Sequence, residues 1–519
     1  MRDNDYEVLV VGAGPVGLAL AGELALRGVR TLVIERLTEQ SSTIKAGGIN
    51  LVTAEAAYRR GLLPAMQAVH DQAMAVMTKF ATGAGRNVGA LPVAPGKALK
   101  PRGHFAGIWI LDSGQLDPND PELAATPASG TFMVSQQAVE SIFGGWAEEH
   151  GAQLRRGVEL VGLVDEGDDG VTVELADGQR ITADWLVGCD GGRSNVRKLA
   201  GFDFPGTEPT ITGHQAIVDI EGADRLPLGW NRTPRGMLVY GPVPGRILTV
   251  EYDGPPTDRE TPITIEELET SLRTVSGVDE VRITGIHSAT RFTDHARQVS
   301  EYRRGRVFLA GDAAHVHSPF GGQGLNLGVG DAVNLGWKLA ATIKGTAPDG
   351  LLDTYTTERH PVGAWVLDWN RAQVALMRPD VQTGALRGVI SDLIGTGDGV
   401  TYFVKKLAGL WINYDFGGDH PLVGKRTPDL VFEDGSRLGE YCADGRPVLV
   451  DLGDGSLAEV AAGWGERINV LTKACPEHPE LGGLLVRPDG YVAWAAEAGS
   501  EGLDSSLARW FGSRVTMGV

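Results

Sequence analysis

A glycine-rich turn near the start of the chain, Gly12-Ala13-Gly14-Pro15-Val16-Gly17, constrains the fold more than any other segment. The apolar run 8–11 precedes it and a helical run over 16–26 follows, which is the strand, turn and helix that cradle a dinucleotide pyrophosphate. Gly12 permits the tight turn, Gly14 leaves the backbone bare for close approach of phosphate, and Gly17 lets the helix pack near the strand. Pro15 and Val16 open the helix, whose N-terminus faces the anion. A second strand over 31–34 leads to Glu35, 18 residues past Gly17, where a carboxylate accepts hydrogen bonds from an adenosine ribose. Its negative charge disfavours a ribose 2'-phosphate, and Arg36 beside it is expected on the adenine side. The same fingerprint serves NAD and FAD, so a second motif has to separate them.

That second motif is Gly311-Asp312-Ala313-Ala314-His315. An apolar strand over 307–310 ends there, which sets the Asp312 carboxylate beside a turn, in position for a ribityl hydroxyl. Gly321, Gly322 and Gly324 then lead into a helix in which Val329, Val333, Trp337 and Ala340 are expected to share one face. A glycine-rich helix start running through Leu325 and Asn326 offers backbone N–H groups to the pyrimidine edge of a flavin and favours negative charge on the reduced ring.

In these motifs the chain resembles the group A FAD-dependent aromatic hydroxylases, which share the para-hydroxybenzoate hydroxylase fold, and most nearly the polyketide and rifampicin-type monooxygenases of actinomycetes. The likeness rests on three motifs in order: residues 12–17, Asp190-Gly191 within the segment 186–194, and Gly311-Asp312 with Pro319 and its glycine tail. It extends to Arg102-Gly103-His104-Phe105-Ala106-Gly107 and to residues 484–494. The fold it implies is α/β: a Rossmann-like FAD domain (1–75, 106–190 and 287–400), an inserted antiparallel-sheet substrate domain (76–105 and 191–286) and a C-terminal thioredoxin-like domain (401–519).

The resemblance also implies bound FAD, with NADPH or NADH as a transient co-substrate. In such enzymes the reduced flavin meets O2 to give a C4a-hydroperoxide that hydroxylates a bulky aromatic substrate, here expected to be a polyketide. Pro319, the expected catalytic-site residue, and the turn over 321–326 wall the oxygen site. Asp190 is expected to serve both FAD and the pyridine nucleotide, and Gln136 to contact the flavin from the first turn of a helix capped by Ser135. Trp230 and Tyr240, on the antiparallel sheet, are candidates for substrate contact. One departure is Lys45, which stands where family members often carry an arginine touching the flavin; lysine keeps the charge and loses the planar fork of donors.

Elsewhere, the Gly, Pro and Ala-rich stretch 81–129 reads as loops and short strands over a pocket. Strands over 158–163, 171–175 and 181–187, with Asp177-Gly178 as a hairpin turn, form a meander. Strands over 216–220, 237–240, 247–252 and 281–286 form an antiparallel sheet. After residue 351 the chain is helical until Gly417-Gly418 and the prolines 421 and 428, beyond which strands and helices alternate as in thioredoxin. The three cysteines, Cys189, Cys442 and Cys475, make no Cys-x-x-Cys pair, so this last domain is expected to pack or to oligomerise rather than exchange disulfides.

A formal charge of -19 disfavours nucleic acid and anionic membrane as partners. No apolar run approaches the ~20 residues that cross a bilayer, and the expectation is a cytoplasmic monomer or homodimer acting on a small molecule. His315 and His317 lack a third ligand, so no metal is expected. Two further readings stay open: Baeyer–Villiger insertion beside a polyketide ketone, and a flavin-retaining binding subunit without turnover. A flavin halogenase would carry a Trp-x-Trp-x-Ile-Pro segment, which the sequence lacks.

Overall fold

β-Branched and leucine side chains make Tyr6–Val11 a strand whose Val8, Leu9 and Val10 are wholly buried, and Thr31–Glu35, of like composition, pairs with it in parallel. Arg180–Gly188 pairs in parallel with its other edge, and Val307–Leu309 and Gln153–Arg156 extend the sheet outward. This computed structural model describes residues 5–83, 100–167, 169–241, 243–258 and 261–514. The expectation of loops over 81–129 falls in part on residues 84–99, outside those described; its first residues instead end the helix Leu63–Gly83. The expected meander forms from Leu160–Gly167, Gly170–Leu175 and Arg180–Gly188. Its last strand also belongs to the parallel sheet, and so delivers Asp190 to the fingerprint turn.

The helices over this sheet approach closely because glycine lines their contacts. A Cβ at Gly328 of the helix Gln323–Ile343 would lie 2.4 Å from Val16 Cγ2, so this helix packs directly on the fingerprint helix Pro15–Ala25. The expectation of one apolar face for that long helix is corrected here: it is buried on nearly all sides. Val329, Val333 and Ala340 join the main core, whereas Trp337 turns into a separate cluster with the C-terminal layer. A helix covered all round has no polar stripe to fix which face is inward.

The second sheet runs Gly229–Thr233, Gly236–Tyr240, Arg246–Glu251, Thr212–Glu221 and Arg282–Phe292, all antiparallel. Gly229–Thr233 is an addition to the expected strands, its Trp-Asn-Arg-Thr run lacking apolar alternation. Alternation sends Met237, Leu248 and Val250 to one face with Phe105, Phe320 and Trp369, and Leu238, Tyr240 and Ile247 to the other, against Leu268 and Leu272 of the helix Ile265–Ser276. The hairpin Lys100–Phe105 with Ile108–Asp112 joins the first face, so the expected domain boundary at 105/106 falls in its turn. The helix Gly397–Ala408 packs on the same cluster through Val400, Phe403 and Val404, and crosses the boundary expected at 400/401.

In the C-terminal layer Val448–Asp451, Ser456–Ala461 and Asn469–Thr472 form a βαβ unit, and Gly483–Val486, Val492–Ala496 and Leu503–Phe511 a ββα unit, the thioredoxin order. Buried charges fasten the layer to the long helices. Arg487 donates to both carboxylate oxygens of Glu358, at 2.9 and 2.7 Å, and Lys338 Nζ lies 3.0 Å from the same carboxylate. Burial lowers the Lys338 ammonium to about 8, with Glu358 opposing that fall.

Candidate functional site

The fingerprint turn is held shut on one side and open on the other. Gly12 has φ +108°, and a Cβ there would lie 2.4 Å from the Cys189 carbonyl oxygen; at Gly17 it would lie 2.0 Å from the Gly12 carbonyl oxygen. At Gly14 nothing stands within 4 Å. The helix that begins at Pro15 has no side-chain cap, so its first N–H groups are available on this open side. Glu35 accepts from Ala13 N–H through Oε2 and from Leu37 N–H through Oε1, each at 2.9 Å, which fixes its carboxylate beside the turn with lone pairs to spare. Arg36 is exposed.

Two further carboxylates flank the turn. Asp190 Oδ2 caps the helix Asn195–Leu199 by accepting from Asn195 and Val196 N–H, at 2.7 and 3.1 Å, while its Oδ1 is buried without a partner. Burial raises this carboxyl. Asp312 is exposed on the single helical turn Gly311–Ala313. Behind it, buried Asp331 accepts from Gly311 N–H at 3.1 Å and Arg359 Nε at 2.8 Å, and its Oδ2 lies 2.7 Å from His315 Nε2. His315 is thereby committed to anchoring the Asp312 turn. The His317 Nε2 atom is buried without a partner, and a Cβ on Gly324 would stand 3.6 Å from it and 3.8 Å from Asp312 Oδ1. Asp312, His317 and the start of the long helix thus meet at one place.

That helix start is a second uncapped N-terminus, led in by Gly321 and Gly322 at φ +79° and +62°. Asn326 donates to the Gly322 carbonyl at 2.9 Å and accepts from Asn50 N–H at 2.9 Å, tying the turn to the segment that follows Lys45. Pro319 is exposed beside it, Leu325 is buried, and Lys45 is exposed. Gln136 reaches this segment through its backbone, donating to the Ala46 carbonyl at 3.0 Å, while its side chain turns to Glu140 Oε1 at 2.9 Å. Its neighbour Gln137 holds the segment by side chain, through the Ser41 and Thr43 carbonyls at 3.2 and 2.8 Å.

Next to Pro319 the Phe320 ring meets Phe292 at 5.7 Å and Trp230 at 6.3 Å, both edge-on, and Trp230 leans on His104 at 4.2 Å. Burial, with the Arg387 charge, lowers the His104 imidazole to about 4, so it is neutral near pH 7. Trp230 therefore lies on the Pro319 side of the sheet. Tyr240 does not: alternation turns it to the opposite face, onto the helix Ile265–Ser276. Sequence reading missed His104, Phe292 and Phe320; the only signal was the position of His104 within Arg102–Gly107 and of Phe320 beside Pro319.

A buried carboxylate oxygen and imidazole nitrogen without partners, a turn open at Gly14, and two uncapped helix starts fit FAD, whose anions would be answered by helix N-termini and whose hydroxyls would be answered by Glu35 and Asp312. The FAD binding domain family matches residues 5–370, and the C-terminal domain of aromatic-ring hydroxylases matches residues 420–513. A 12-dehydrotetracycline 5-monooxygenase/anhydrotetracycline 6-monooxygenase of Streptomyces rimosus is 40% identical over 98% of this chain and 99% of its own length. A rifampicin monooxygenase of Streptomyces venezuelae is 39% identical, again over 98% and 99%. Among solved structures, the OxyS anhydrotetracycline hydroxylase from Streptomyces rimosus superposes with a TM-score of 0.83 at 38% identity, covering 98% of this chain and 100% of that one.

Proposed function

This chain belongs to the FAD-binding aromatic-ring hydroxylases and is a flavoprotein monooxygenase, and we propose that its substrate is a bulky aromatic polyketide, hydroxylated on the ring. The aromatic cluster of Trp230, Phe320 and Phe292 beside Pro319 is the observation that carries this reading. Bound FAD supplies the redox chemistry, taking electrons from NAD(P)H and activating O2.

The chain's own residues bind, orient and exclude water. Gly14 and the start of the Pro15–Ala25 helix hold the pyrophosphate, Glu35 the adenosine ribose, and Asp312 the ribityl chain, with Asp190 Oδ1 close by. The backbone N–H groups of Gly324, Leu325 and Asn326 face the pyrimidine edge of the ring, where a helix N-terminus stabilises negative charge. Trp230, backed by the buried Phe320 ring, stacks the substrate against the flavin while Pro319 keeps water from the oxygen site. The parallel-sheet body binds FAD, the antiparallel sheet with the Lys100–Asp112 hairpin binds substrate, and the C-terminal layer packs. No helix among the described residues is long and apolar enough to cross a membrane, in keeping with a cytoplasmic enzyme, monomer or homodimer, acting on a free small molecule.

The test is anaerobic reduction of the FAD-loaded protein by NADPH and by NADH, followed in the visible flavin bands with and without anhydrotetracycline, and then product mass after oxygen is admitted. Faster bleaching with the polyketide and one oxygen gained on an intact ring supports the proposal. A lactone product would assign Baeyer–Villiger insertion instead, and a flavin that neither nucleotide reduces would make the chain a flavin-retaining binding subunit.

A further inference from the structure

Arg246 is a charged side chain without an answering charge. It opens the strand Arg246–Glu251, and strand alternation puts it on the face of Leu248 and Val250, the face that packs on Phe320. Burial lowers its basicity and no carboxylate offsets this. A Cβ on Gly47 would lie 3.8 Å from Arg246 Nη1, so the guanidinium reaches the segment after Lys45. Elsewhere, buried Arg60, Arg359 and Arg487 are matched by the carboxylates of Glu23, Asp331 and Glu358, and buried Arg197 donates to the Ala313 and Gly192 carbonyls.

A second donor on the same face is also unsatisfied. Gln215 pairs with Leu248 across the neighbouring strand, so it shares that face and stands diagonal to Arg246. It is 4% exposed, and its Nε2 is buried without a hydrogen-bond partner. An enclosed cation and amide left unpaired are costly unless a ligand completes them.

We infer that Arg246 and Gln215 anchor an ionised oxygen of the aromatic substrate, a phenolate or an enolised diketone, on the sheet face they share with Trp230, two and three strands away from it. This rests on the aromatic-substrate reading above. The charged parts of FAD are already matched by the two helix starts, and the sheet that carries Arg246 and Gln215 also carries Trp230 and Phe292. Planar guanidinium donors fit the paired oxygens of an enolised diketone, which a lysine ammonium fits less well. The aromatic side chains around Trp230 then hold the fused rings, and Arg246 sets which ring edge faces the flavin.

The experiment measures dissociation constants of 2-hydroxy-1,4-naphthoquinone, an anion at neutral pH, and of its uncharged 2-methoxy ether, from their perturbation of the oxidised flavin spectrum without reductant. Wild type is expected to prefer the hydroxy compound by about tenfold or more, the scale of a charge-assisted hydrogen bond. Arg246→Gln should abolish that preference, Arg246→Lys and Gln215→Leu should reduce it, and affinity for the ether and for FAD should stay within about twofold. No preference in the wild type, equal loss of both ligands in the variants, or weaker FAD binding in Arg246→Gln would each overturn the assignment. Binding of neither quinone by the wild type would remove the aromatic-substrate reading along with it.

Discussion

The Ala106 amide donates to Gln373 Oε1 at 3.1 Å, and Gln373 Nε2 donates onward to the Phe320 carbonyl at 3.3 Å. Ala106 is the one non-glycine residue with positive φ, +52°, among those described. Arg387 Nη1 holds its carbonyl from the other side at 2.7 Å. A left-handed alanine costs roughly 1–2 kcal/mol, so the hairpin turn stays in place because buried Gln373 ties it to the Pro319 turn.

Gln373→Ala leaves the Ala106 N–H and the Phe320 carbonyl unpaired in the interior, a loss of about 2–3 kcal/mol in stability. It also loosens the wall of the oxygen site. Reducing equivalents are expected to shift from hydroxylated product to hydrogen peroxide, measured as both yields per NAD(P)H consumed. Unchanged coupling would show that the clamp serves stability alone.

Gly14 and Gly17 separate ligand contact from folding. Gly17→Ala meets the Gly12 carbonyl oxygen at 2.0 Å and should unfold the turn, losing more than about 3 kcal/mol. Gly14→Ala meets nothing within 4 Å. It should melt within roughly 1 kcal/mol of wild type without cofactor yet bind FAD about tenfold or more weakly, because the added methyl stands where the pyrophosphate approaches. Calorimetry of the apoprotein and a flavin titration check both halves.

Asp312→Ala removes an exposed carboxylate on which the fold places no hydrogen bond to its neighbours. FAD retention should fall by about 1.5–3 kcal/mol with little change in apoprotein stability. Equilibrium dialysis that shows full FAD occupancy would contradict the ribityl assignment.

His104 makes stability depend on acid pH. Its imidazole is lowered from an ordinary 6.5 to about 4 by burial and by Arg387. The stabilisation is therefore complete above pH 6.5 and is lost as pH falls through 4, since the unfolded chain takes up the proton first. At about 1.4 kcal/mol per pH unit this is at most roughly 3 kcal/mol. His104→Phe should flatten that part of the difference in a melting-temperature profile, and an identical profile would contradict it.

Glu358→Ala strands buried Lys338 and leaves Arg487 with Asp489 as its remaining carboxylate, and should cost about 3–5 kcal/mol. Urea unfolding followed by tryptophan fluorescence should report the loss through Trp337, which packs at this interface.

Gly12, Gly17 and the capping Ser135 were legible because each meets a demand of its own backbone, and such demands show in adjacent residues. Gln373 and Ala106 lie 267 positions apart, and no local pattern joins them. Tyr240 failed for a related reason. Strand period two separates it from Val239, but with the sheet covered on both faces, apolar character could not say which residue faces the flavin side. Gln136 and Gln137, consecutive glutamines in a first helical turn, look alike until their different partners, Glu140 and the Ser41 carbonyl, are placed.

The ion cluster beneath the C-terminal layer bears on how such a chain can change over generations. Lys338 and Glu358 belong to the helices that frame the flavin body, yet Arg487, which completes their set, belongs to the layer. A lineage that shed the layer would expose or strand those two charges at once, and so would have to replace them in the same few steps. The layer, although it lacks a redox dithiol, is thereby held in the architecture by an electrostatic ratchet whose teeth lie in the long helices beneath it.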